Sequence, residues 1–277
     1  IRLLPDSPQN SKFDSNSTRA DVDPREQLIA LLTNGIGGMV RMAVDLGTIT
    51  SKYDCLLGAN LNSDSPVDRH VFAKRVRVWA VADGFISALN ADTLLEYLPG
   101  PPARWRFLVS AGDSRAVEIE LQASMPDGQN ETHLTLTRLE RDPEKGQRLA
   151  IDKSFSLTVR VDIEDRICHA ETQLSEDEER HFLANLISDS GGFVFTPSTD
   201  RQLSVCTTSG TFHPEMEWCR DVKHPVEANR GHRESGDACS PGWFEIPMEP
   251  DEIASIVVSA EINSSMRSEL VAPINAH

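Results

Sequence analysis

The residues best suited to chemistry in this 277-residue chain are carboxylates. Asp162, Glu164 and Asp165 follow one alternating run, and Glu227, Glu234 and Asp237 lie within one polar segment. Cleaving a glycosidic bond takes two carboxyls on opposite sides of it, one protonated as acid and one ionised as base or nucleophile. The chain supplies such groups without a spacing that marks a pair, and carboxylates at strand ends and in loops are ordinarily solvated charges. No catalytic residue is therefore assigned. The segment Glu227 to Asp237 offers different chemistry: Glu227, Arg230, Arg233, Glu234 and Asp237 present donors and acceptors suited to sugar hydroxyls. Trp218 and Trp243 nearby can stack on the apolar face of a glucose ring. The same residues have a structural reading, in which Glu227 pairs with Arg230 to hold the loop and the tryptophans fill a core.

Cys219, His224, His232 and Cys239 are enough in number for a tetrahedral zinc. Their intervals are irregular, with no Cys-x-x-Cys or His-x3-His pair, so no metal site is assigned and no cofactor is expected. Trp218-Cys219 and Cys239-Ser240 fit packing positions beside turns. The stretch Leu31-Leu-Thr-Asn-Gly-Ile-Gly-Gly38 reads as a turn, because Asn34-Gly35 tolerates positive φ and Gly37-Gly38 allows a second sharp bend. It lacks the lysine and hydroxyl of a phosphate loop.

The elements that must position these residues follow a period of two. Val117 to Met125 is apolar at every odd position and polar at every even one, and Phe155 to Ile163 repeats the pattern. Each predicts a strand with one face in a core, so Ile119, Leu121, Leu157, Val159 and Val161 should point inward. Further strands are expected at Arg75–Val81, Trp105–Val109, His133–Arg138, Phe193–Phe195, Leu203–Thr207, Trp243–Pro247 and Ser255–Glu261. Turn signals separate them at Ala82-Asp-Gly84, Pro99-Gly-Pro-Pro102, Pro126-Asp-Gly128, Asp142 to Gly146 and Ser190-Gly-Gly192. Ser175 with Glu178 forms a capping box before a helix over Arg180 to Ile187, and Asp23-Pro24 permits a second helix. Many short alternating strands imply antiparallel sheets packed face to face. Glu227 to Phe244, punctuated by Arg230-Gly231 and Pro241-Gly242, is expected to be an ordered surface loop.

After the Gly-rich turn come Thr50-Ser-Lys-Tyr-Asp-Cys-Leu-Leu-Gly58 and Pro66-Val-Asp-Arg-His-Val71, and near the far end Glu227-Ala-Asn-Arg-Gly231 and Gly236 to Pro247. In this order and spacing the segments resemble the N-terminal domain of bacterial and archaeal-type glycogen debranching enzymes, the amylo-α-1,6-glucosidases. The resemblance runs from about Glu26 to Ile262. Relatives usually carry Arg-Tyr-His-Gly where this chain has Lys52-Tyr53-Asp54-Cys55, so only Tyr53 is carried over, and Ala30 stands where a Trp is usual. The resemblance implies a mainly all-β fold, a large, supersandwich-like antiparallel β-sandwich with one or two short helices. It also implies that the acid and base sit in a C-terminal (α/α) barrel, so this chain alone should be inactive. Taken with the chemistry of the far loop, Asn34, Tyr53, Glu227, Arg230, Asp237 and Trp243 are the residues expected to bind substrate or to face a partner domain. The implied partners are that barrel and an α-glucan such as glycogen.

Composition sets outer bounds. Forty-three acidic against 27 basic residues give a formal charge of -16, which repels phosphate and so excludes nucleic acid and anionic membrane surfaces as expected partners. Five cysteines without paired spacing point to a reducing compartment, the cytoplasm. No apolar run approaches a membrane span, and Ile1 to Pro5 is too short and too soon polar for a signal peptide. The expected division is a flexible arm at 1–24, the β-sandwich at 25–263, and a tail or linker at 264–277. No run of amphipathic helices follows Ile262, so the barrel is expected to lie beyond His277, and a start at Ile1 points to a trimmed N-terminus. The rival reading is a free-standing carbohydrate-binding or protein-interaction module; only 6% of residues are aromatic, which disfavours an exposed stacking platform.

Overall fold

The computed structural model describes residues 28–262 apart from 63–64, 66–68 and 144. The expected arm and tail, the helix after Asp23-Pro24 and the Pro66 to Asp68 part of the second motif lie outside the described residues. Two sheets face each other. The first runs β1 (Ile29–Thr33), β2 (Met39–Ala43), β3 (Cys55–Asn60), β4 (Arg69–Ala82), β11 (Phe155–Ile167), β17 (Ser235–Ser240), β16 (Glu217–Lys223). On it, β5 (Phe85–Ala88) pairs with β4, β18 (Trp243–Pro247) with β11, and β15 (Thr211–His213) with β18. The second runs β12 (Leu186–Asp189), β13 (Gly192–Ser198), β14 (Arg201–Thr207), β19 (Ile253–Ser259), β9 (Glu131–Arg138), β8 (Arg115–Ser124), β7 (Ala103–Ser110), β6 (Leu94–Leu98). The short β10 (Gln147–Arg148) joins β8 in parallel. Two helices, α1 (Glu176–Asn185) and α2 (Pro225–Ala228), complete the described elements.

Alternation fixes which face each strand buries. Ile119, Leu121, Leu157 and Val159 are fully buried and Val161 nearly so, as the period of two requires. Each such side chain contributes about 2 kcal/mol on leaving water. Trp105 also fills this core, and its indole N–H donates across the sandwich to the Val44 carbonyl at 3.1 Å. All nine expected strands form, several longer than the alternating run: β4 extends back to Arg69 and β11 forward to Ile167.

Three expectations need correction. The N-cap at Ser175 accepts from the Glu178 N–H at 3.1 Å, but the helix starts at Glu176 and ends at Asn185, because Leu186 turns extended and pairs with Phe195. Glu227 to Phe244 is not one loop: α2, β17 and β18 occupy most of it, leaving a short turn at 229–234. Polar positions on the alternating strands are not uniformly exposed either. Asp162 is fully buried between Arg75 Nε at 2.6 Å and Arg77 Nη2 at 2.8 Å, and buried Glu118 takes the Arg141 guanidinium at 2.7 Å.

Candidate functional site

The loop at 50–54, between β2 and β3, is built from its backbone outward. Asp54 turns its carboxylate back to accept from the Thr50 N–H at 2.5 Å, the Thr50 hydroxyl at 2.8 Å and the Ser51 N–H at 3.0 Å, and it also meets Arg41. Glu227, at the start of the far segment on α2, accepts from the Ser51 hydroxyl at 2.7 Å and from the Lys52 N–H at 3.0 Å. From below, Lys74 on β4 donates to the Lys52 carbonyl at 2.9 Å, and Arg166 on β11 reaches the same oxygen at 2.6 Å. Arg166 is itself held by Glu164 at 2.8 Å. Lys74, Glu164, Arg166 and Glu227 are all buried, so the Ser51 hydroxyl and the Lys52 N–H and carbonyl are met by protein groups.

Burial sets the charge states. The Lys74 ammonium is pushed down to about 8 by desolvation, with Glu164 opposing the shift. Burial also works to raise the Glu227 carboxyl, but the bonds from Ser51 and from the Lys52 N–H outweigh it and its pKa falls below the usual value. Cys55, beneath the loop, is raised to about 11 by burial and stays a thiol. His224, the residue just before α2, is 1% exposed and lowered to about 4 by burial, with Lys74 adding to the shift. Neither of its ring nitrogens has a hydrogen-bond partner among the described residues. Its ring packs beside Gly236, where an added Cβ would lie 3.2 Å from His224 Cε1.

Two side chains point away from this network. The Lys52 ammonium bonds the His169 carbonyl at 2.7 Å and Glu171 at 2.8 Å, and lies 5.5 Å from the centre of the Tyr53 ring. The Tyr53 hydroxyl meets His169 Nδ1 at 3.2 Å, the two rings edge to face at 5.8 Å. Lys52, Tyr53, His169 and Glu171 thus form a small partly exposed tip over a buried ionic base. It can offer a phenol face, an ammonium and an imidazole; it holds no pair of free carboxyls.

The other candidates fall in several places. Arg230 is exposed, and it meets Glu227 through its backbone N–H, which donates to the Glu227 carbonyl at 3.0 Å; the expected side-chain pair is absent because Glu227 is committed to Ser51 and Lys52. Asp237 ties two segments together, accepting from the Leu174 N–H at 2.8 Å and the Asp221 N–H at 2.9 Å. Asn34 is fully buried in the Gly-rich turn, bonding the Gln129 carbonyl at 2.8 Å and the Gly38 N–H at 2.8 Å. Trp243 sits half-buried on the outer face of the first sheet, while Trp218 packs on Phe182 against the core at 5.1 Å. Cys219, His224, His232 and Cys239 do not converge, and no group of three or more His, Cys, Asp or Glu that could hold a metal ion exists among the described residues.

Sequence reasoning missed Ser51, Lys74, Glu164 as an ion-pair partner, Arg166 and the position of His224. One signal was present: Lys74 interrupts the apolar run Val71-Phe-Ala73, and Glu164-Asp-Arg166 breaks the alternation of the preceding strand. Charges inserted in such runs are buried and paired when they occur.

A search of the curated proteins returns no match. Among solved structures, a bacterial glucoamylase complexed with acarbose is similar at 8% identity and a TM-score of 0.38, covering 92% of this chain, which spans 36% of that one. The family model for the glycogen debranching enzyme N-terminal domain matches residues 30–254, taking in the Gly-rich turn, the Tyr53 loop and α2. The chain belongs to the glycogen debranching enzyme N-terminal family.

Proposed function

We propose that this chain is the non-catalytic β-sandwich of a debranching-type α-1,6-glucosidase, standing beside a helical (α/α) catalytic barrel and lending the Lys52–Tyr53 tip to one wall of an α-glucan cleft. The observation that carries this reading is the construction of the tip. Lys74, Arg166 and Glu227, all buried, are directed at Ser51 and the backbone of Lys52, and the half-buried Lys52 and Tyr53 side chains are held above them against Glu171 and His169. Burying charges costs several kcal/mol per ion before their pairing offsets it, about what only a constrained element would justify. A turn fixed in this way meets a partner without losing conformational entropy on contact.

The carboxylates assign no hydrolytic step to this chain. Asp162 lies between two guanidiniums, Glu164 is on Arg166, and Glu227 is on Ser51 and Lys52, so none faces an open cleft with a free pair. The cytoplasm is the compartment we favour: all five cysteines are unpaired. No helix among the described residues is long and apolar enough to cross a membrane.

The test has two arms. Incubated with an α-1,6-branched limit dextrin, the chain should release no glucose; release that disappears in Asp165→Asn or Asp237→Asn overturns the non-catalytic reading. In a polypeptide carrying this domain together with a barrel, Tyr53→Ala should lower kcat/KM at least tenfold with an unchanged melting temperature. An unchanged kcat/KM removes the tip from the cleft.

A further inference from the structure

The outer face of the first sheet carries a second arrangement, further along β4 and β11 from the charges that hold the Tyr53 tip. Five neighbouring strands, β5, β4, β11, β18 and β15, leave this face partly open. Their registers align outward side chains in rows across the sheet. In one row Trp79 on β4 lies opposite Thr158 on β11, Thr158 opposite Glu245 on β18, and Glu245 opposite Thr211 on β15. In the next, Arg77 faces Arg160, and Trp243 pairs with His213. The pairing of Val159 with Phe244 sets Arg160 beside Trp243. Of the four tryptophans, Trp105 and Trp218 belong to the core or pack on it, and Trp79 and Trp243 are the two on this face.

We propose that this face is a binding platform for a neutral polysaccharide, with Trp79 and Trp243 as its stacking residues. One strand separates them and they stand one row apart, so their Cα atoms are about 12 Å apart by sheet spacing and strand rise. That is the span of a short oligosaccharide laid flat on the sheet. A polar group lies over one face of each ring, the Arg77 guanidinium 5.6 Å from the Trp79 centroid and the His213 ring stacked on Trp243 at 4.1 Å, so the sugar takes the opposite face. The Trp243 indole N–H donates to Glu215 at 3.0 Å, which fixes the ring in the plane its register sets. Arg160 approaches Glu217 at 3.4 Å and Glu215 at 3.7 Å, and His213 approaches Glu245 at 3.3 Å. Guanidinium and carboxylate forks therefore alternate among the aromatics, a pattern that hydrogen-bonds vicinal hydroxyls and holds no single-signed field for a polyanion. The choice of an α-glucan over other neutral glycans rests on the functional reading above; the position of the site does not.

The experiment is native affinity electrophoresis of the full chain in gels containing glycogen, with indole fluorescence titration against maltoheptaose. The wild-type chain should be retarded by glycogen, and its fluorescence should be quenched by maltoheptaose. Trp79→Ala and Trp243→Ala should each weaken binding at least tenfold, while Trp79→Phe, which retains a ring, recovers part of the loss. Melting temperature confirms that each variant is folded. Ile253→Ala, an exposed position on β19 of the second sheet, should bind glycogen like wild type, and loss of binding in Tyr53→Ala with retention in both tryptophan variants would move the glucan contact to the tip and overturn the platform. Absence of glycogen retardation in the folded wild-type chain overturns it too. So does concentration-dependent dimerisation in light scattering that Trp79→Ala abolishes while glycogen binding stays unchanged, since the face is then an interface between copies.

Discussion

The Glu227 carboxylate accepts a hydrogen bond from the Ser51 hydroxyl at 2.7 Å across a separation of 176 residues. The same carboxylate holds the Lys52 N–H, so one buried group ties the two segments that the family motif places at opposite ends of the chain. Replacing Glu227 with Ala leaves two buried donors without an acceptor. The expected loss is about 2–3 kcal/mol in urea unfolding, with Glu227→Gln losing less because its carbonyl still accepts from Ser51. An Ala variant as stable as wild type would show that the tip is not held from α2.

His224 should make stability sensitive to acid. Its folded-state pKa, about 4, lies below the ordinary value of 6.5, so the unfolded chain binds more protons between those limits and stability falls as pH drops from 6.5 to 4. The groups that set its surroundings are Lys74, Arg166, Glu164 and Glu227. Glu227, whose folded pKa is also lowered, loses its own contribution further down, as pH falls through its folded value. His224→Leu should flatten the drop between pH 6.5 and 4.5 by on the order of 2 kcal/mol and cost little at pH 7, where the neutral ring has no partner to lose. Chemical denaturation at both pH values checks it; an equal drop in the variant assigns the effect elsewhere.

Lys74 gives the opposite end of the scale. Its folded-state pKa of about 8 sits below 10.5, so the strain of burying its charge is greatest below pH 8 and is relieved as pH rises toward 10.5. Lys74→Met removes that charge but also the bond to the Lys52 carbonyl. The variant should show a weaker rise in stability between pH 8 and 10 than wild type, measured by the same denaturant curves. A parallel rise in both proteins would assign it to other groups.

Asp162 separates structure from catalysis. It is buried between Arg75 and Arg77, and removing it leaves two part-buried guanidiniums facing each other. Asp162→Ala should lose about 3 kcal/mol or more, and Asp162→Asn somewhat less. A fully stable Ala variant would show that this ion triad holds nothing together.

Gly38 and Gly35 should behave differently although they share one turn. A Cβ on Gly38 would lie 2.3 Å from the Asn34 amide nitrogen and 2.9 Å from the Asn130 carboxamide oxygen, so Gly38→Ala must displace the pair that closes the sandwich at this corner, a loss of about 2 kcal/mol. Gly35 has open space but a φ of +78, and Gly35→Ala should cost only the left-handed strain, about 1 kcal/mol. Paired melting curves decide between them; equal losses would mean that Asn34 moves freely.

The alternating strands were legible because each has one face in a core: Ile119, Leu121, Leu157 and Val159 could be placed from period alone. Among the strands that escaped, β3 is a continuous run of buried residues, in which alternation vanishes because both faces are covered, and β17, Ser-Gly-Asp-Ala-Cys-Ser, has too few apolar side chains to show a period. The family motif singles out the Tyr53 and Glu227 segments, but the bonds that join those segments could not be read from it. Glu227 was expected on Arg230, three residues away, and its partner proved to be Ser51; a local charge pair is readable in sequence, and a hydrogen bond across two strands of folded chain is not. Trp79 and Trp243 share one face only through the register of β4 on β11 and of β11 on β18, which no spacing in the chain reveals.

The 176-residue reach of the Ser51–Glu227 bond also imposes an order in time. During synthesis β1 to β3 leave the ribosome first, yet their outward loop lacks its anchor until α2 has emerged, and β4 waits some eighty residues for β11, as the pairing of Arg77 with Arg160 shows. Contacts this distant make assembly slow relative to local hairpins. The Lys52–Tyr53 tip therefore becomes rigid only when nearly the whole sandwich has closed, so a partner that recognises the ordered tip selects finished molecules and passes over nascent ones.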